Sequence, residues 1–174
     1  MFAVFLLHSS NFSIGEKSTD HLGKGDVTLD LSGFRQFGNE FDSIYRLDEK
    51  QNVMKRGAFL LGDYWFPAAH LDYYVAQPNG IPFLAIGDRN NIHHYARLNE
   101  LRPFLHQGDD AYLVIVSNYF NLPDTNLVRQ FDFITSPVII PQIRQHTAVR
   151  NFYVYRLKNY KGRLDRSGVI LARN

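Results

Sequence analysis

The stretch Gly57–Tyr74, GAFLLGDYWFPAAHLDYY, decides how the rest of the chain is read. Its apolar run Ala58-Phe59-Leu60-Leu61 has the length of a buried strand, and Gly62-Asp63 follows as a turn. Pro67 then suits the opening of a helix, where its missing N–H and fixed φ cost nothing. Ala68, Leu71, Tyr74 and Val75 recur at helical spacing, while His70, Asp72 and Tyr73 fall off that stripe. Strand, polar turn and helix make half of a βαβ unit.

The segments outward from it repeat the theme. Pro82–Ile86 (PFLAI) reads as a second strand ending in Gly87-Asp88-Arg89-Asn90-Asn91, with a short helix from Ile92 to Leu98 after it. Ala111–Val116 (AYLVIV) is the third strand, and Ser117–Pro123 a loop. Asp124 is a cap for a helix carrying Leu127, Phe131 and Ile134. Upstream, Asp30 caps a helix from Leu31 to Lys50, with Leu31, Phe34, Phe37, Phe41, Ile44 and Tyr45 on one face. Downstream, Pro137–Arg144 and Asn151–Leu157 read as strands joined by six residues, an antiparallel hairpin. The fold expected is α/β: a mainly parallel, Rossmann-like sheet with helices on both faces, closed by that C-terminal hairpin. Residues 1–25 form an apolar stub (Phe2–Leu7) and a polar linker, 26–162 a single domain, and 163–174 a basic tail. On residues alone Phe2–Leu7 reads as a core strand; it is short and lacks the basic lead of a signal peptide.

Composition narrows the classes. An apolar share of 45 % over 174 residues supports a folded domain with a sizeable core. A net charge of +2 from interspersed acids and bases gives no nucleic-acid footprint. With no cysteine, disulfides and thiolate chemistry are excluded, and the compartment stays open. Ten Tyr, fourteen Phe and one Trp suit a thick core, a sugar-stacking face or a membrane-interface surface alike.

Candidate chemistry follows the strand ends. His93-His94, with His70 and His106, invites a metal, but adjacent helical residues point about 100° apart and no HExxH is present; no metal is expected. Asp63 with Asp72, or Asp88 with Asp109, is either an acid/base pair or ordinary turn chemistry. No GxGxxG, GxxxxGK[ST] or GxSxG occurs, so no nucleotide cofactor and no hydrolase elbow is expected. In an open parallel sheet, ligands gather outside the carboxyl ends of the strands. Asp63, Tyr64, Trp65, His70, Arg89, Asn90 and His94 are therefore the ligand-binding candidates, with Arg for a phosphate, Tyr and Trp as stacking surfaces, or else turn and cap residues.

Five segments occur in a suggestive order: DVTLDLSGFRQ (Asp26–Gln36), WFPAAHLDYYVA (Trp65–Ala76), GDRNNIHHYARLNELR (Gly87–Arg102), GDDAYLV (Gly108–Val114) and FYVYRLKNYKG (Phe152–Gly162). This succession resembles the C-terminal soluble region of bacterial membrane glycosyltransferases of the protein O-mannosyltransferase and aminoarabinose transferase type. The resemblance spans about Asp26 to Gly162 and rests on scattered positions. It implies a parent enzyme that moves a sugar from a polyprenyl phosphate to a lipid or protein acceptor at the periplasmic face of the inner membrane. In that family the catalytic carboxylates lie in a loop between membrane helices, so the resemblance gives this chain no catalytic residue. Phe2–Leu7 would be the stub of the last membrane helix. The chain would be a non-catalytic periplasmic domain that assists binding of lipid-linked sugar or acceptor, or stabilises the membrane-embedded portion. A free-standing sugar or phosphorylated-metabolite enzyme with its site in the same crevice is the alternative, and a protein-interaction module using the hairpin edge a third.

Overall fold

The computed structural model describes residues 14–170; Phe2–Leu7 and the last four residues of the basic tail lie outside them. The first long helix, α1, is Phe34–Lys50, and its stripe Phe34, Phe37, Phe41 and Tyr45 is buried. It starts three residues later than the sequence predicts. Arg150 donates to the carbonyls of Leu29 (3.0 Å) and Ser32 (2.6 Å), and Arg144 to that of Thr28 (3.1 Å), so these acceptors are diverted from helix pairing. Gly33 makes the turn at φ 88°, where a Cβ would collide with the Gln142 amide. Leu31 is left 87 % exposed, and Asp30, instead of capping, accepts from the Tyr119 hydroxyl at 2.9 Å.

Strand β1 (Phe59–Gly62) leads into α2 (Trp65–Leu71), in which Pro67 is the third residue. That helix continues through a π turn, Asp72–Ala76, and a last turn, Gln77–Asn79, ending on Gly80 at φ 64°. Strand β2 (Phe83–Ala85) precedes two short helices, α3 (Arg89–Ile92) and α4 (Tyr95–Glu100), in place of the single helix read from the sequence. The break is at His93, whose φ of 49° and ψ of −124° interrupt the helix. Strand β3 (Ala111–Val116) is wholly buried. After it, α5 (Thr125–Val128) makes one turn before β4 (Phe131–Ile134), β5 (Val138–Arg144) and β6 (Thr147–Tyr160). The expected helix over Leu127, Phe131 and Ile134 does not form, because Phe131 and Ile134 pair instead with Tyr160 and Leu157 of β6.

The fold is α/β with a mixed six-stranded sheet. Its order is β2-β1-β3-β6, with β4 and β5 both along the far edge of β6. Strand β1 runs parallel to β2 and β3, whereas β6 is antiparallel to β3, β4 and β5. Parallel character therefore holds for the first half of the sheet and not for the second. A one-turn α5 is too short to cross back over the sheet, so the chain after β3 returns antiparallel. The β5–β6 turn is Gln145-His146, both at positive φ (45° and 65°), as two-residue hairpin turns require. It is shorter than the six residues expected because β6 begins at Thr147.

Alternation along the strands divides the core into two layers. Leu60, Tyr112, Val114, Phe152 and Val154 face α1 and α2. Leu61, Leu113, Ile115, Tyr155 and Leu157 face Leu127 of α5 and the loop residues Phe104, Leu105 and Ile170. The two long helices thus share one face, and loops with α5 cover the other, where helices on both faces were expected.

Buried carboxylates tie the layers to the strands. Asp48 of α1 accepts from Tyr112 Oη (2.8 Å) and from Arg156 Nε and Nη2 (2.6 and 3.0 Å). Burial, then this carboxylate, raises the Tyr112 phenol. Asp110 accepts from the backbone N–H groups of Lys55 and Asn159, each at 3.0 Å. No helix of the described residues is long and apolar enough to cross a membrane.

Candidate functional site

At the carboxyl ends of β1 and β3, ring-bearing side chains touch one another in a continuous ledge. Trp65 lies 5.5 Å from His93 and 6.3 Å from Tyr64 between ring centroids. Tyr64 stacks on Tyr119 at 5.8 Å, Tyr119 meets Phe66 at 5.5 Å, and Phe66 meets His70 at 4.9 Å. His70 is sandwiched between Phe34 (4.6 Å) and Tyr74 (5.8 Å). Two local causes produce the ledge. The β1–α2 turn projects Tyr64 and Trp65 from the end of a buried strand, and the 3₁₀ turn Ser117–Tyr119 does the same for Tyr119 after β3. Gly87 lets the β2 turn pack against the β1 turn, since a Cβ there would meet the Asp63 carbonyl at 3.1 Å.

Hollows flank the ledge. One of about 400 Å³ is lined by Arg89, Asn90, His93 and His94, all able to donate hydrogen bonds. Asp88 caps α3 by accepting from Asn90 N at 2.8 Å, which holds the hollow's near wall. A second, of about 300 Å³, lies beside Tyr64 and Tyr119 and includes Lys24 and Asn118. The Asn118 Oδ1 is buried without a hydrogen-bond partner among the described residues.

The sequence-selected residues divide accordingly. Tyr64, Trp65 and His70 belong to the ledge, and Arg89, Asn90 and His94 to the first hollow. Burial, then Arg150 nearby, lowers the His70 imidazole, so it is neutral at pH 7. Asp63 stands apart: burial, with Asp124 a lesser cause, pushes its carboxyl up to about 6. Neither carboxylate pairing considered from the sequence carries into the fold: Asp72 accepts from Arg102 (2.7 Å) and Tyr95 (3.1 Å), Asp88 caps α3, and Asp109 accepts from His106 N (2.7 Å). No group of three or more His, Asp or Glu able to hold a metal ion occurs among the described residues.

Sequence reasoning missed Tyr119, Asn118, Phe66 and His93 as members. The signal for the first two was present: the rule that ligands gather at strand carboxyl ends applies to β3 as much as to β1 and β2. Phe66 gave none, since its place depends on a Tyr119 ring 53 residues away. Chemically, the arrangement combines apolar ring faces with side-chain donors, a surface suited to a molecule with an apolar face and several hydroxyl or anionic groups. Comparison with protein-family models, with curated proteins and with solved structures finds no match.

Proposed function

We propose that this chain is a non-catalytic extramembrane domain of a polyprenyl-phosphate-sugar-dependent glycosyltransferase, set on the periplasmic face of the inner membrane against the membrane-embedded portion of its parent enzyme. In this reading β2-β1-β3 is a Rossmann-like half whose carboxyl ends face the ligand, with the β5–β6 hairpin closing the sheet. The observation that carries the reading is the aromatic ledge, with 39 % of Trp65 exposed beside a hollow whose lining residues can all donate hydrogen bonds. Trp65 and Tyr64 take the sugar ring by stacking, and Arg89 with Asn90 engages the phosphate or sugar hydroxyls. The order of the five sequence segments supplies the transferase context.

Trp65 is the chain's only tryptophan, so its emission reports on this surface alone. Titration with a polyprenyl-phosphate hexose in lipid nanodiscs is expected to give a saturable change in Trp65 emission, larger than with empty nanodiscs. Arg89→Ala is expected to weaken that response about tenfold, as loss of a charge-assisted contact does. Emission indifferent to the sugar-bearing lipid would overturn the reading. Asp63, whose carboxyl titrates near 6, favours a second one: a free-standing enzyme acting on a sugar or phosphorylated metabolite, with Asp63 as general acid or base. It requires turnover that Asp63→Asn abolishes.

A further inference from the structure

At the opposite pole of the sheet, where β1 and β3 begin, the last turns of α1, the loop before β1 and the distal part of β6 surround an open depression of about 740 Å³. Arg46, Lys50, Lys55, Arg56 and Lys158 line it, against a single lining carboxylate, Glu49. We propose that this depression is a second binding site, for a compact polyanion carrying two or more phosphate groups.

Some of these cations are already matched. Lys158 pairs with buried Asp110 at 3.0 Å and also donates to the Val53 carbonyl. Arg46 pairs with Asp42 at 3.1 Å. Arg56, with its side chain 93 % exposed, uses only Nε, on Glu49 at 3.3 Å. Lys55 has no carboxylate partner; it donates to the Gly108 carbonyl and to Asn159 Oδ1. Lys50 has no polar partner among the described residues. Among the described residues the Lys50 and Lys55 ammonium groups thus have no carboxylate partner, and Arg56 keeps its Nη donors free while Nε meets Glu49, so five cations share one cleft with a single lining carboxylate.

Rigidity is the second support. The backbone N–H groups of Val53 and Met54 both donate to the Asp48 carbonyl (2.8 and 3.3 Å), and that of Lys55 donates to Asp110 (3.0 Å). The Asp48 carboxylate is itself held by Arg156 and Tyr112, so the loop bearing Lys55 and Arg56 is fixed from beneath before any ligand arrives. Size and chemistry name the class. The volume falls within the range of small-molecule sites, and no aromatic side chain lines it, so a polyphosphate or a sugar or polyol bearing several phosphates fits better than a nucleobase.

The test is calorimetric titration of the full chain with inorganic tripolyphosphate, alongside phosphatidylglycerol vesicles. Binding at one site per chain is expected, weakened about tenfold or more in Lys50→Ala/Arg56→Ala and unchanged in Arg89→Ala. Both substituted residues are exposed, and an unchanged melting temperature of the double variant confirms that its fold is intact. Response to tripolyphosphate upholds the compact polyanion; response to vesicles alone, whose headgroups carry one phosphate each, overturns it in favour of an anionic lipid surface. Absence of saturable binding to either, or binding that the double variant retains in full, overturns the proposal. Because Arg89→Ala is the variant that tests the strand-end site, failure of one site leaves the other readable.

Discussion

Asp63 is where a single residue ties local structure to measurable behaviour. It follows the last residue of β1, in the turn that the sequence marks by Gly62-Asp63, and the fold half-buries it without a cationic partner. Its carboxyl keeps a proton up to about pH 6 in the folded chain, whereas an unfolded Asp releases it near pH 4. Between those values the folded state holds the extra proton, so stability falls as pH rises from about 4 through about 6. Asp63→Asn is expected to remove that slope and to stabilise the protein at pH 7 by about 1–2 kcal/mol, read by urea denaturation across pH 4–8. A variant less stable than the parent at pH 7 would show that the carboxylate is held by favourable contacts instead, and a slope retained in the variant would place the titration on another group. That Asp63 lies at a strand end was legible in the sequence. Its burial was not: the turn at Gly87, packed against the Asp63 carbonyl, follows a different strand.

Elements obeyed the sequence where their own periodicity matched their burial. Strand β3 was legible to the residue, since six apolar residues suit a strand buried on both faces. Helix α1 was legible along its stripe but not at its start, which two arginines more than 110 residues downstream decide. Leu127, Phe131 and Ile134 misled for a related reason: their spacing is helical, yet pairing with β6 outweighs local propensity. Asp72 misled in turn. A regular helix would leave it off the buried stripe, but the π turn brings it inward, 6 % exposed, to Arg102 and Tyr95. The outer edge of β2 shows what no pattern foretells. The Asn99 side chain accepts from Ala85 N (3.3 Å) and donates to Ala85 O (2.7 Å) and Ser167 O (2.8 Å), while Gly87 bridges to Val169. An amide thus stands where a neighbouring strand would pair, and it anchors the 165–170 segment. Asn99→Ala is expected to cost about 1–3 kcal/mol and to accelerate hydrogen exchange at Ala85 and Gly87. Unchanged exchange at those amides would place the edge's stability elsewhere.

The whole molecule is organised by β6, which pairs with β3 along one edge and with both β4 and β5 along the other. It therefore joins the parallel half, which carries the aromatic ledge, to the antiparallel half, and its Lys158 and Arg156 also secure the opposite pole. Neither half buries its core without β6, so unfolding is expected to be a single transition. Trp65 fluorescence reports the ledge and far-UV circular dichroism the whole backbone, and their urea curves are expected to coincide. Separate midpoints would mean that the halves unfold independently. By itself the sequence determined an α/β chain, the buried strands β1 and β3, and the stripe of α1. Those features depend on residues close in sequence, where apolar periodicity and turn chemistry act directly. Only the tertiary structure decided the mixed sheet, the late start of α1, the inward turn of Asp72, the ledge through Tyr119 and the cationic depression around Lys158. Each of these arises from partners far apart along the chain, whose meeting is set by strand pairing and by the need of buried polar groups to find one another.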